Sequence, residues 1–123
     1  MEITNTLSSF ARLADEGRLE ELGNLFTADI EWSMPGAIWR GRAEVLSGLG
    51  SMRDLGHAGP DSGNRHVITN LEVYVDPDRA TARSYFLLVS QGTPAAILAV
   101  GFCHDELLHE HGQWLIARRE VTT

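Results

Sequence analysis

A chain of 123 residues, 43% apolar and 22% charged, is expected to form one soluble domain, residues 1–123, around one hydrophobic core. Seventeen acidic side chains outnumber ten basic ones, and a net charge of -7 argues against nucleic acid and anionic membrane surfaces as partners. All ten basic side chains are arginine, and the absence of lysine removes P-loop, Schiff-base and Ser–Lys chemistry.

The single cysteine, Cys103, allows no intramolecular disulfide, as in proteins of reducing compartments. Residues 1–10 carry no basic segment followed by an apolar one, and the longest apolar run, residues 95–103, is too short to cross a bilayer. The cytoplasm is the expected location.

In chain order, Ile3, Leu7, Phe10, Ala11 and Ala14 recur at helical spacing, with Thr4 or Asn5 as a candidate N-cap and Gly17 as a stop. Leu19, Leu22, Leu25 and Phe26 suggest a second short helix. Residues 28–34 then alternate, with Ile30, Trp32 and Met34 on one face, and the pair Pro35-Gly36 closes the strand. A third helix fits residues 42–55, where Val45, Leu46, Leu49 and Met52 form one stripe. Two glycines, a proline and an aspartate make residues 57–64 a loop. From there the chain reads as strands over 67–75, 80–90, 95–109 and 113–122, punctuated by Asp76-Pro77-Asp78, Gly92-Thr93-Pro94 and Gly112. Helices followed by hairpin-connected strands predict an α+β fold: a curved antiparallel sheet with helices on its concave side and a cavity between the layers.

Several stretches resemble the SnoaL-like branch of the NTF2-like superfamily: Ala14-Asp15-Glu16-Gly17-Arg18-Leu19-Glu20-Glu21-Leu22, then Leu25-Phe26-Thr27-Ala28-Asp29-Ile30-Glu31-Trp32. So do Trp39-Arg40-Gly41, Arg65-His66-Val67-Ile68-Thr69-Asn70, Ala80-Thr81-Ala82-Arg83-Ser84-Tyr85 and Gly112-Gln113-Trp114. The resemblance runs in order along nearly the whole chain and is more specific for the fold than for the reaction. It implies a cone with a deep apolar pocket, commonly a homodimer, and commonly no metal or organic cofactor.

The resemblance to scytalone dehydratase places Asp15 and His66 on positions matching its catalytic pair. A carboxylate on one imidazole nitrogen fixes the tautomer and leaves the other nitrogen to move a proton. The bland alternative is that Asp15 ends a helix while His66 begins a strand. Tyr85 matches a further catalytic position, where the dehydratase has histidine; a phenol there would stabilise an oxyanion, and a core tyrosine is the alternative. Asn70, on the face of His66 by strand period, could orient a substrate oxygen. Trp32, Met34, Trp39, Leu49, Met52 and Ile68 offer apolar surface to a ligand or simply to the core. By the resemblance Cys103 faces the pocket as a small apolar liner. The clusters His104-Asp105-Glu106 and His109-Glu110-His111 lack metal-ligand spacing and read as a solvated hairpin end. Arg118 and Arg119 read as surface or sheet-edge charges.

Two functions of different class follow. One is a cofactor-independent dehydratase, isomerase or cyclase acting on a hydrophobic oxygenated small molecule such as a polyketide- or steroid-like ring. In it His66 is the acid/base, Asp15 its orienting partner and Tyr85 an oxyanion donor. The other is a non-catalytic binding or dimerisation module lacking an Asp15–His66 hydrogen bond. Epoxide hydrolysis ranks below both, because Asp15 has no evident second carboxylate.

Overall fold

The computed structural model describes residues 2–123. The first apolar stripe becomes the buried face of helix α1 (Ile3–Glu16), which hides Ile3, Leu7, Phe10 and Ala11. Thr6 and Asp15 lie on the same face. Thr6 is satisfied by donating its hydroxyl to the Trp114 carbonyl at 2.9 Å, which ties the helix to the sheet. The helix begins after Glu2, without the side-chain cap expected from Thr4 or Asn5.

Helix α2 (Leu19–Gly23) is a single turn, and Phe26, read above as helical, already belongs to strand β1 (Phe26–Met34). The alternation that follows wins because it buries Phe26, Ile30 and Trp32 on one side. Pro35-Gly36 makes a two-residue hairpin, with Gly36 at φ 84°, into a strand the sequence did not reveal, β2 (Ala37–Arg40). Four residues are too few for a period-2 signal to stand out.

Helix α3 (Arg42–Asp54), a short 3-10 turn at Pro60–Ser62 and strands β3 (Arg65–Val75), β4 (Arg79–Val89), β5 (Ile97–Glu110) and β6 (Gln113–Thr122) complete the order. The six strands form one open sheet in the order β2-β1-β6-β5-β4-β3. The expected α+β fold with helices against a bent sheet is what the chain adopts, with one correction to the antiparallel expectation: β1 runs parallel to β6. The helices and the inward side of the sheet share a core built on Leu22, Phe26, Ile30, Val45, Leu107 and Ile116. None of the helices among the described residues is long and apolar enough to cross a membrane.

Candidate active site

Between α1, α3 and the inward face of the sheet lies a cavity of about 560 Å³, within the range of small-molecule sites. Its wall is largely apolar: Trp32 and Met34 from β1, Leu49 and Met52 from α3, Ile68 from β3, Phe86 from β4 and Cys103 from β5. Arg53, His57, Asn64 and Thr123 also line it, but two polar groups bear on its chemistry, from different strands of the sheet.

The first is His66. As the first inward residue of β3 it lines the cavity, and Asp15 of α1 meets it from behind. The Asp15 carboxylate accepts the His66 main-chain N–H, with its oxygens at 3.1 and 3.0 Å, and lies 2.6 Å from the ring at Nδ1. Asp15 is only 5% exposed, so solvent competes little for these contacts. An ionised carboxylate can only accept, so Nδ1 carries the proton in the neutral ring and Nε2 presents a lone pair. Arg53 of α3 fastens the end of α1 that carries Asp15, donating to the carbonyls of Leu13, Ala14 and Gly17 at 3.0, 3.2 and 2.8 Å. The Leu13 carbonyl also accepts the Gly17 main-chain N–H at 2.8 Å, while Ala14 and Gly17 present carbonyls of the kind a helix end leaves without main-chain partners.

The second polar group is Arg119 of β6. It pairs with Asp105 of β5 through a two-pronged contact of 2.7 and 3.0 Å, and both side chains are buried. Its guanidinium carbon lies 4.5 Å from the centroid of the Phe10 ring and 5.6 Å from that of Trp32. Burial pulls its pKa down, but the Asp105 charge and hydrogen bond outweigh it and the net shift is upward. The surface reading of Arg119 is therefore corrected, as is that of Asp105, which is fully buried. A second buried carboxylate does exist, yet it is held by Arg119 and forms no part of the cavity wall.

Three of the remaining candidates lie elsewhere. Tyr85 is 45% exposed on the outer face of the sheet, edge-on to Phe102 at 5.1 Å, because its neighbours Ser84 and Phe86 take the inward positions. Asn70 is also outside the cavity. A bulge matches residues 69 to 72 of β3 with only residues 85 to 83 of β4, and Asn70 takes φ 54° within it, so the period-2 count from His66 fails. Trp39 does not line the cavity either but stacks behind Trp32 at 6.2 Å. The Cys103 thiol is buried, and desolvation pushes its pKa up, which disfavours the nucleophilic thiolate. Among the described residues no group of three His, Cys, Asp or Glu side chains could hold a metal ion.

Residues 1–120 match the SnoaL-like domain. The chain belongs to the SnoaL-like family. Solved structures of similar proteins carry the same NTF2-like, cystatin-like fold. A Nostoc punctiforme protein of unknown function superposes with TM-score 0.88 at 24% identity, over 98% of this chain and 87% of its own. A Novosphingobium aromaticivorans protein named for a proposed scytalone dehydratase activity gives TM-score 0.79 at 26% identity, over 97% of this chain and 79% of its own. ActVI-ORFA of Streptomyces coelicolor gives 0.81 at 21% identity, over 98% and 92%. No curated protein matches. For this SnoaL-like chain, membership accounts for the cone and the cavity, while the chemistry rests on the side chains inside it.

Proposed function

We propose that this SnoaL-like protein is a cofactor-independent acid/base enzyme that moves a proton next to a carbonyl on a hydrophobic oxygenated ring, in a dehydration, isomerisation or aldol-type cyclisation. The observation that carries this reading is the double grip of Asp15 on His66, on the main-chain N–H and on Nδ1. A structural helix-to-strand tie needs only the main-chain contact. Engaging the ring as well fixes its tautomer and leaves Nε2 to the cavity.

In the reaction so read, Nε2 takes a proton from the carbon beside the carbonyl, and the electron pair moves onto the carbonyl oxygen to give an enolate. The imidazolium, stabilised by the Asp15 charge, then gives the proton to a departing hydroxyl, to another carbon or, in the aldol case, to the oxygen of the second carbonyl whose carbon the enolate has attacked. The apolar wall excludes water and strengthens both interactions. Tyr85 has no part in this mechanism. The non-catalytic reading keeps one supporting observation, the loss of Tyr85 from the cavity, but it gives no reason for the ring contact.

Hydrogen–deuterium exchange tests the proposal without knowledge of the natural substrate. In D₂O, the C2 protons of 1-tetralone should exchange faster with the protein than with buffer, as followed by NMR. The His66→Ala variant should lose that acceleration while remaining folded. Equal rates for the two proteins would refute the assignment.

A further inference from the structure

Arg119 has hydrogen-bonding capacity that the protein does not use. A guanidinium has five N–H donors. Asp105 occupies the Nε hydrogen and one on Nη2. The other Nη2 hydrogen and both on Nη1 meet no acceptor among the described residues, although Arg119 lines the cavity and Asp105 does not. Three unpaired donors thus belong to a guanidinium that lines the cavity beside the apolar Phe10, Trp32 and Cys103. Buried donors left unpaired are costly, so they point to an acceptor supplied from outside the chain.

We propose that this end of the cavity recognises a second oxygen of the substrate, remote from the bond His66 addresses, and that Arg119 orients the ring by receiving it. The inference rests on the cavity being a ligand site, as proposed above, and adds the class of ligand. Asp105 already cancels the charge of Arg119, so the site is donor-rich but close to neutral. A carbonyl or a delocalised enolate or phenolate oxygen suits it better than a carboxylate, whose localised charge would face that of Asp105 across the guanidinium. The spacing explains why the oxygen must be a second one. Phe10, against Arg119, and Asp15, against His66, are five residues apart on α1, about 7.5 Å of helix rise. An oxygen held at Arg119 therefore belongs to a different part of the molecule from the carbon that Nε2 reaches. The ligand class is a fused ring oxygenated at both ends.

Two probes of matched shape separate oxygen recognition from apolar fit: 6-acetyl-1-tetralone and 6-isopropyl-1-tetralone, titrated against the intrinsic tryptophan fluorescence. The wild type should bind the acetyl compound about five- to tenfold more tightly, the contribution of one hydrogen bond into such a site. The double variant Asp105→Leu with Arg119→Met removes the pair while keeping apolar volume, and in it the ratio should fall to about one. His66→Ala should keep the wild-type ratio. If the double variant does not fold, the wild type still decides: the acetyl probe should shift the Arg119 guanidinium N–H resonances, and the isopropyl probe should leave them in place. An equal ratio in wild type and double variant, or no preference in the wild type, would overturn the proposal. Binding with preference but without proton exchange would overturn only the catalytic reading. Binding of neither probe would overturn both.

Discussion

Replacing Asp15 by asparagine keeps the shape of the side chain and removes the acceptor that the site depends on. The carboxylate serves two donors of His66 at once, the main-chain N–H at 3.1 and 3.0 Å and the ring at 2.6 Å. An amide has one acceptor oxygen and one donor nitrogen. If the oxygen stays with the ring, the amide NH₂ confronts the His66 main-chain N–H, donor against donor. If the amide flips, its NH₂ faces Nδ1, which must then accept, and the ring proton moves to Nε2. Either outcome loses one hydrogen bond to a charged acceptor in a buried setting, a cost of about 2–3 kcal/mol. For a chain of this length that lowers Tm by about 6–15 °C, measurable by circular dichroism. The flipped state also reverses the tautomer, so exchange of the 1-tetralone protons should slow by about 10²–10⁴-fold. The ¹⁵N shifts of the His66 ring, read where it is neutral, report which nitrogen carries the proton. Unfolding within about 2 °C of wild type, with unchanged ring shifts, would show that Asp15 does not hold His66.

Tyr85→Phe removes a hydroxyl from the outer face of the sheet, so exchange should stay within about twofold of wild type and stability within about 0.5 kcal/mol; a large loss of exchange would restore the tyrosine to the mechanism. Gly101→Ala puts a methyl against the Phe86 ring and 2.8 Å from the Thr122 carbonyl oxygen, so it should cost about 1–3 kcal/mol and press Phe86 into the cavity; unchanged stability and probe affinity would contradict that packing. Cys103 gives a pH dependence of definite sign. Burial, its largest cause, raises the native thiol pKa above the ordinary 9.0, so above that pH the unfolded chain binds fewer protons than the native one. Stability should therefore fall as pH rises past about 9, and Cys103→Ala should remove that part of the decline in urea titrations at pH 8 and pH 10. Equal slopes in both proteins would refute it.

The resemblance to scytalone dehydratase, not the apolar stripe, singled out Asp15, and the structure puts it four residues beyond Ala11 on the face that α1 buries. Its partner was not legible from spacing, since the two are 51 positions apart; the resemblance to the SnoaL-like branch supplied it. The same resemblance misdirected Tyr85. The small or apolar run Ala80, Ala82, Ser84, Phe86 already claims the inward face of β4, and a strand cannot send consecutive side chains inward without a bulge. For Asn70 the bulge exists but depends on how β3 pairs with β4, which no local pattern announces.

Asp105 and Arg119 mark where that limit falls. Gly101, Cys103, Asp105 and Leu107 share one face of β5, so placing Cys103 in the cavity wall already commits Asp105 to the interior. A buried carboxylate demands a cation, and the hairpin that closes at Gly112 supplies candidates on β6. Near the turn the paired residues sum to 223, as in Glu110 with Gln113 and Leu107 with Ile116. Continued unbroken, that register would give Asp105 to Arg118. The bulge between Glu106 and Leu107 advances the sum by one, so that Asp105 meets Arg119 and Arg118 is left exposed. Strand alternation and turn position thus require that one of two adjacent arginines be buried beside the cavity. Only the bulge, a consequence of how the sheet bends, decides which.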